Sequence, residues 1–135
     1  MQDIVKMLAL PPPPQSVLVV EDFVPALELL TNLLSSAGYH VSAGLGVMDA
    51  LPGRIQLVSP PDHPWIDLTS VQIAFLDYYF LGGITNGGEL TQLLMAGGKT
   101  RVIGMSSSAA ANETMFRYGA AWTMQKRELL QLLRS

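Results

Sequence analysis

The polar residues that stand out in this 135-residue chain each follow directly on an apolar run. Glu21 and Asp22 come after Val17-Leu18-Val19-Val20, and Asp77 comes after Val71 to Leu76. Ser106, with Ser107 and Ser108, follows Arg101 to Met105, and Lys126 follows Trp122 to Gln125. Clustered carboxylates repel one another and need a hard cation, and Mg²⁺ prefers oxygen ligands. A carboxylate beside such a cation can be a nucleophile toward phosphorus. A hydroxyl and an ammonium can neutralise charge on phosphoryl oxygens, which is most of what phosphoryl transfer requires. Taken singly, each residue has an ordinary reading. An acid after a strand caps a helix or faces solvent, a serine triplet makes a loop, and a lysine near a helix start is solvated. Their joint occurrence, in this order, favours the chemistry.

The elements that would position them are legible. Val17 to Val20 reads as a strand buried on both faces of a parallel sheet. Pro25 suits the first turn of a helix carrying Leu27, Leu30, Leu33 and Leu34, and Gly38 suits its end. Tyr39 to Ala43 reads as a second strand and Val71 to Leu76 as a third. Gly87-Gly88 leads into a helix with Leu90, Leu93 and Leu94, which Gly97-Gly98 ends. Arg101 to Met105 is a fourth strand, and a helix spans Ala109 to Tyr118. Trp122 to Gln125 is a fifth strand, before a last helix with Leu129, Leu130 and Leu133. Such alternation predicts an α/β, mostly parallel sheet with helices on both faces. In an open parallel sheet the ligand site lies beyond the carboxyl ends of the strands, where all these polar residues fall.

Two stretches stand apart. Pro11 to Pro14 favour polyproline II, so residues 1–15 are read as an N-terminal stub and proline run, and 16–135 as the domain. Leu51 to Ser70 contains Pro52, Pro60, Pro61 and Pro64 around Ile55-Gln56-Leu57-Val58, so a helix cannot run through it. An irregular surface excursion with a short strand or turn is expected. It either packs on its own domain or, through Trp65, serves one partner or a homodimer.

Composition excludes several classes. The net charge of −3 does not suit a nucleic-acid or membrane-surface binder. The absence of Cys excludes disulfides, thiolate catalysis and Cys-ligated zinc. Apolar runs are too short for a membrane span, and Met1 to Leu10 is too short for a signal peptide, so a cytoplasmic protein is expected. Charged residues are 14% of the chain against about 25% on average, so a partner is expected to cover part of the surface. Gly98-Lys99-Thr100 precedes a strand and so cannot open a phosphate loop. Gly44 to Asp49 starts like a dinucleotide fingerprint but has Asp49 where a small residue is required, and is read as a turn. His40 and His63 lack a second ligand at metal spacing, and Tyr78, Tyr79 and Phe80 are read as packing over the loop after Asp77.

These motifs resemble the receiver domain of two-component response regulators, over about Ser16 to Ser135. The resembling blocks are Val17 to Phe23, Leu76-Asp77, Val102 to Ser106 and Gly119 to Lys126. The resemblance implies a flavodoxin-like, doubly wound, five-stranded parallel sheet in order 2-1-3-4-5, with the irregular insert between strands 2 and 3. It implies a phosphoacceptor, not an enzyme: Asp77 takes a phosphoryl group from a sensor histidine kinase or a phosphotransfer protein. Glu21, Asp22, Asp77 and the Tyr79 backbone carbonyl would hold Mg²⁺, while Ser106 and Lys126 would meet the phosphoryl oxygens. With nothing after Ser135 to act as an output domain, a single-domain regulator that switches binding to an unnamed output protein is expected. The alternatives are a pseudo-receiver acting as a constitutive interaction module, and a small Mg²⁺ phosphatase. The phosphatase would need a second acid where Tyr79 stands. The chain departs from the family pattern in several places. Arg127 replaces the proline usual after the lysine, Leu81 replaces a proline four residues after Asp77, and Thr123, beside Trp122, replaces an aromatic switch residue. The stretch between Asp22 and Asp77 is also longer than usual.

Overall fold

The computed structural model describes residues 2–59 and 62–134; Met1, Pro60, Pro61 and Ser135 lie outside them. β1 (Ser16–Val20), β2 (His40–Gly44), β6 (Ile73–Leu76), β7 (Arg101–Gly104) and β8 (Trp122–Thr123) form one parallel sheet in the order β2-β1-β6-β7-β8. Counting only these strands, the order is 2-1-3-4-5, as the resemblance implies. The inner strands are apolar after their first residue, Val17 to Val20 in β1 and Val102 to Gly104 in β7, and throughout in β6, because both faces are covered. Val17 and Val19 point to one face, and Leu18 and Val20 to the other.

α2 (Val24–Ser36) and α5 (Lys126–Arg134) cover the first face, where Leu30, Leu34, Leu129 and Leu133 meet Val17, Val19, Ile73 and Phe75. Pro25 lies in the first turn of α2, and Gly38 follows its end with φ +101°. α1 (Gln2–Met7) joins the same core through Ile4, with Leu8 and Leu10 following it. Arg101 Nε donates to the Leu8 carbonyl at 2.6 Å, and the Tyr39 hydroxyl donates to the Pro11 carbonyl at 2.9 Å. Fully burying each such leucine or isoleucine is worth about 1.5–3 kcal/mol, enough to seat a helix this short.

α3 (Gly87–Ala96) and α4 (Ala109–Arg117) cover the second face with Leu90, Leu94 and Met115. The rest of that face is covered by the insert, which lies between the second and third strands of the parallel sheet. It is more regular than its prolines suggest, and it begins earlier. β3 (Val47–Leu51), β4 (Arg54–Leu57) and β5 (Trp65–Asp67) form an antiparallel meander, followed by a 3₁₀ turn at Leu68–Ser70. The reason lies in the turn. Pro52-Gly53 joins the paired residues Leu51 and Arg54, with Gly53 at φ +82°. A proline that breaks a helix is well placed in a hairpin turn. Gly44 to Asp49 is accordingly not a turn: Gly44 ends β2, and Val47 to Asp49 lie in β3. Val47, Ile55 and Leu57 are buried against Leu18, Val20, Ala74 and Leu76.

Candidate phosphoacceptor site

The ends of β1 and β6 are neighbours, so the residues that follow them meet. Asp77 N–H donates to the Val20 carbonyl at 2.9 Å, which fixes Asp77 beside Glu21. One oxygen from each of Glu21, Asp22 and Asp77 lies within 4.8 Å of the others. Glu21 and Asp77 are buried, 1% and 4% exposed, whereas Asp22 is exposed. Lys126, the first residue of α5, reaches across from the far side of the sheet. Its Nζ lies 2.9 Å from Glu21 Oε2 and 3.0 Å from Asp77 Oδ2. The other contacts are to backbone: Phe23 N–H donates to Glu21 Oε2 at 3.0 Å, and Tyr78 N–H donates to Asp77 Oδ1 at 2.8 Å.

Charge is not balanced here. Among the described residues one ammonium faces the carboxylates, and Glu21 Oε1 is buried with no hydrogen-bond partner. Burial pushes the Glu21 carboxyl up to about 8, helped by the charge of Asp77 and opposed by the hydrogen bonds from Phe23 and Lys126. Burial alone would lower the Lys126 ammonium, but its bonds to Glu21 and Asp77 raise it. An oxygen-only cluster with an orphaned carboxylate oxygen fits a hard divalent cation.

The other expected residues are placed as follows. Tyr79 lies two residues beyond Asp77, is 64% exposed and packs edge-on against Tyr78 at 4.8 Å between ring centroids. Among the described residues nothing donates a hydrogen bond to its carbonyl. Tyr78 and Phe80 pack against the second-face core. Ser106 is buried at the end of β7, which pairs with β6, and its Oγ accepts from Ser108 N–H at 3.1 Å. Its hydroxyl is thus engaged within its own loop and not with Asp77. Thr123 lies in β8 with its methyl group facing Gly104, and Trp122 is exposed. Thr100 is structural, since its hydroxyl donates to the Val71 carbonyl at 2.7 Å. His40 is exposed, and His63 sits in the insert outside the carboxylate cluster.

Sequence reasoning missed Asn112. It is 6% exposed inside α4, yet it holds the Ser106 loop from both sides. Its Oδ1 accepts from Ser106 N–H at 2.9 Å, and its Nδ2 donates to the carbonyls of Ser106 (2.9 Å) and Met124 (3.1 Å). The available signal was position: Asn112 falls with Ala111 and Met115 on the buried stripe of the helix, where an amide needs partners.

No protein-family model and no curated protein sequence matches the chain. Solved structures do match. The phosphorylated cyanobacterial phytochrome response regulator RcpA superposes with a TM-score of 0.64 at 14% identity, over 90% of this chain and 89% of that one. The BeF3-activated DrrB receiver domain gives 0.62 at 19% identity, over 90% and 95%. A response regulator from Burkholderia pseudomallei, solved with a phosphorylated aspartic acid, calcium ion and citrate, gives 0.60 at 18% identity, over 88% of this chain and 66% of that one. At identities this low the likeness is one of fold. The chain has the fold of response-regulator receiver domains, with a carboxylate–lysine cluster at the carboxyl end of its parallel sheet.

Proposed function

We propose that this chain is a phosphorylation-responsive receiver. Asp77 takes a phosphoryl group from a phosphohistidine of a sensor kinase or phosphotransfer protein, and the product state alters binding to a separate output protein in the cytoplasm. The observation that carries this reading is the Lys126 ammonium bridging Glu21 and Asp77 at 2.9 and 3.0 Å. The similar folds of phosphorylated RcpA and BeF3-activated DrrB support it.

In the reaction an Asp77 carboxylate oxygen attacks phosphorus, the P–N bond to the donor imidazole breaks, and a mixed anhydride remains on Asp77. The chain is the acceptor and turns over no separate substrate. Tyr78 N–H and Lys126 hold the two carboxylate oxygens in place before attack. The phosphoryl group brings about −1.5 to −2 charges, which Lys126 meets by moving its hydrogen bond to the new oxygens. Ser106 turns its hydroxyl from Ser108 N–H toward the same oxygens. Glu21, Asp22, Asp77 and the Tyr79 carbonyl are the proposed Mg²⁺ ligands, and the ion when bound neutralises the carboxylates and the phosphoryl oxygens. Among the described residues no helix is long and apolar enough to cross a membrane.

The test is incubation with Mg²⁺ and acetyl phosphate, followed by intact mass. One added phosphoryl group in the natural chain, absent in Asp77→Asn, is expected. No addition in the natural chain would mean a constitutive interaction module with a receiver fold.

A further inference from the structure

The loop after Asp77 is tied to the insert. Leu81 N–H donates to the Leu45 carbonyl at 3.0 Å, and Val47 N–H donates to the Leu81 carbonyl at 2.9 Å. This is a parallel bridge between Gly46 and Leu81. Glycine is required on both sides of it. A Cβ on Gly46 would fall inside the Leu81 carbonyl, and a Cβ on Gly82, which has φ +108°, would fall inside the Val47 carbonyl. The same short segment is held on its other side by Val58, through Leu45 N–H to the Val58 carbonyl at 2.7 Å and Val58 N–H to the Gly46 carbonyl at 2.8 Å. Just upstream, Glu21 N–H donates to the Gly44 carbonyl at 3.1 Å. The segment Gly44 to Val47 therefore bonds to the backbone of Glu21 at one end and to the loop carrying Tyr79 at the other.

We infer that this clasp positions the metal site: Gly46 and Gly82 act as positioning residues, and the antiparallel meander sets the distance between the Glu21 side of the cluster and the Tyr79 side. This rests on the phosphoacceptor reading above for its cation. The loop is also pinned at its two ends, by Tyr78 N–H on Asp77 Oδ1 and by Gly87 N–H on the Tyr78 carbonyl at 2.8 Å. The Leu81 bridge is its mid-loop attachment. The Leu81 side chain is 49% exposed, so this residue contributes mainly through its backbone.

The test uses Leu81→Pro, which removes the N–H bonded to Leu45, with Leu81→Ala as the control that keeps both backbone bonds. The half-saturating Mg²⁺ concentration is read from NMR shifts of the metal-free chain and from the rate of phosphorylation by acetyl phosphate. Losing one positioned hydrogen bond should raise it about tenfold in Leu81→Pro and leave it unchanged in Leu81→Ala. Saturating Mg²⁺ should restore the full phosphorylation rate, which a merely misfolded fraction would not show. A folded Leu81→Pro with the natural Mg²⁺ affinity overturns the inference. A measurement on the natural chain covers the case in which the variant does not fold. Coupling is reciprocal, so Mg²⁺ must slow amide exchange at Leu81 and Val47, and unchanged exchange there also overturns it. If the natural chain takes no phosphoryl group while Mg²⁺ still protects these amides, the clasp stands and the phosphoacceptor reading fails.

Discussion

Replacing Asn112 by Ala is the sharpest single probe of how the Ser106 loop is held. The amide makes three hydrogen bonds to buried or half-buried backbone, at 2.9, 2.9 and 3.1 Å. Alanine supplies none of them, and helix propensity moves the other way, since Ala is the better helix former. Each bond is worth about 1 kcal/mol net, and a buried partner left unpaired costs about 1–3 kcal/mol. The loss should be about 3 kcal/mol, which lowers the melting temperature by about 10 °C in a domain of this size. Thermal unfolding followed by circular dichroism, with urea titration for the free energy, measures it. Asn112→Asp should do no better than alanine, because it keeps the acceptor for Ser106 N–H but turns a carboxylate oxygen toward the carbonyls of Ser106 and Met124. A melting temperature within about 2 °C of the natural chain in Asn112→Ala would show that the Ser106–Ser108 contact holds the loop by itself.

Other outcomes follow from the same contacts. The folded Glu21 carboxyl is raised to about 8 from 4.5, so the folded chain binds more protons than the unfolded one between those values. Stability of the metal-free chain should therefore fall as pH rises from about 4.5 to 8, and added Mg²⁺ should remove most of that slope; a flat metal-free profile would refute the burial argument. Lys126→Ala leaves Glu21 and Asp77 without their shared cation, so the metal-free melting temperature should drop and Mg²⁺ should recover much of it, while phosphorylation should no longer shift the NMR spectrum of the Ser106 loop. Trp65 is half-exposed and stacks under Arg54, 4.9 Å from the guanidinium carbon to the ring, so Trp65→Ala should cost about 1 kcal/mol in urea unfolding. An unchanged stability together with loss of a dimer in sedimentation would instead make Trp65 an interface residue.

The parallel sheet was legible because its strands are buried on both faces and so carry unbroken apolar runs, such as Val17 to Val20 and Ile73 to Leu76. Glu21, Asp22 and Asp77 were legible as a set because the carboxyl ends of the neighbouring strands β1 and β6 are neighbours too, and Lys126 because it follows the last strand of the same sheet on the same edge. Contacts that depend on distant loops were not. Nothing local to Asn112 names Ser106 and Met124 as its partners, and nothing local to Leu81 names Leu45. The insert is legible as an excursion between the second and third parallel strands, and its antiparallel sheet fits that place, but its pairing is not marked locally. Its strands are short and mostly one-sided, with Ile55 and Leu57 buried while Arg54 is exposed, and Pro52, which excludes a helix, serves equally well in the hairpin turn between Leu51 and Arg54.

Leu81, which stands where the resembling family has a proline, is the residue that bridges to the segment entering the insert. A proline at that position would have no N–H, yet this N–H is what bonds the Leu45 carbonyl. The loop is held here from outside, by a strand segment that Val58 backs. The insert supplies that segment and also fills the second face: Val47, Ile55 and Leu57 bury themselves on Leu18, Val20, Ala74 and Leu76 beside α3. Packing and positioning are thereby coupled through Val47, whose side chain is in the core and whose N–H is in the clasp. A change that loosens the meander core should therefore be felt at the loop after Asp77 without touching any residue of the carboxylate cluster.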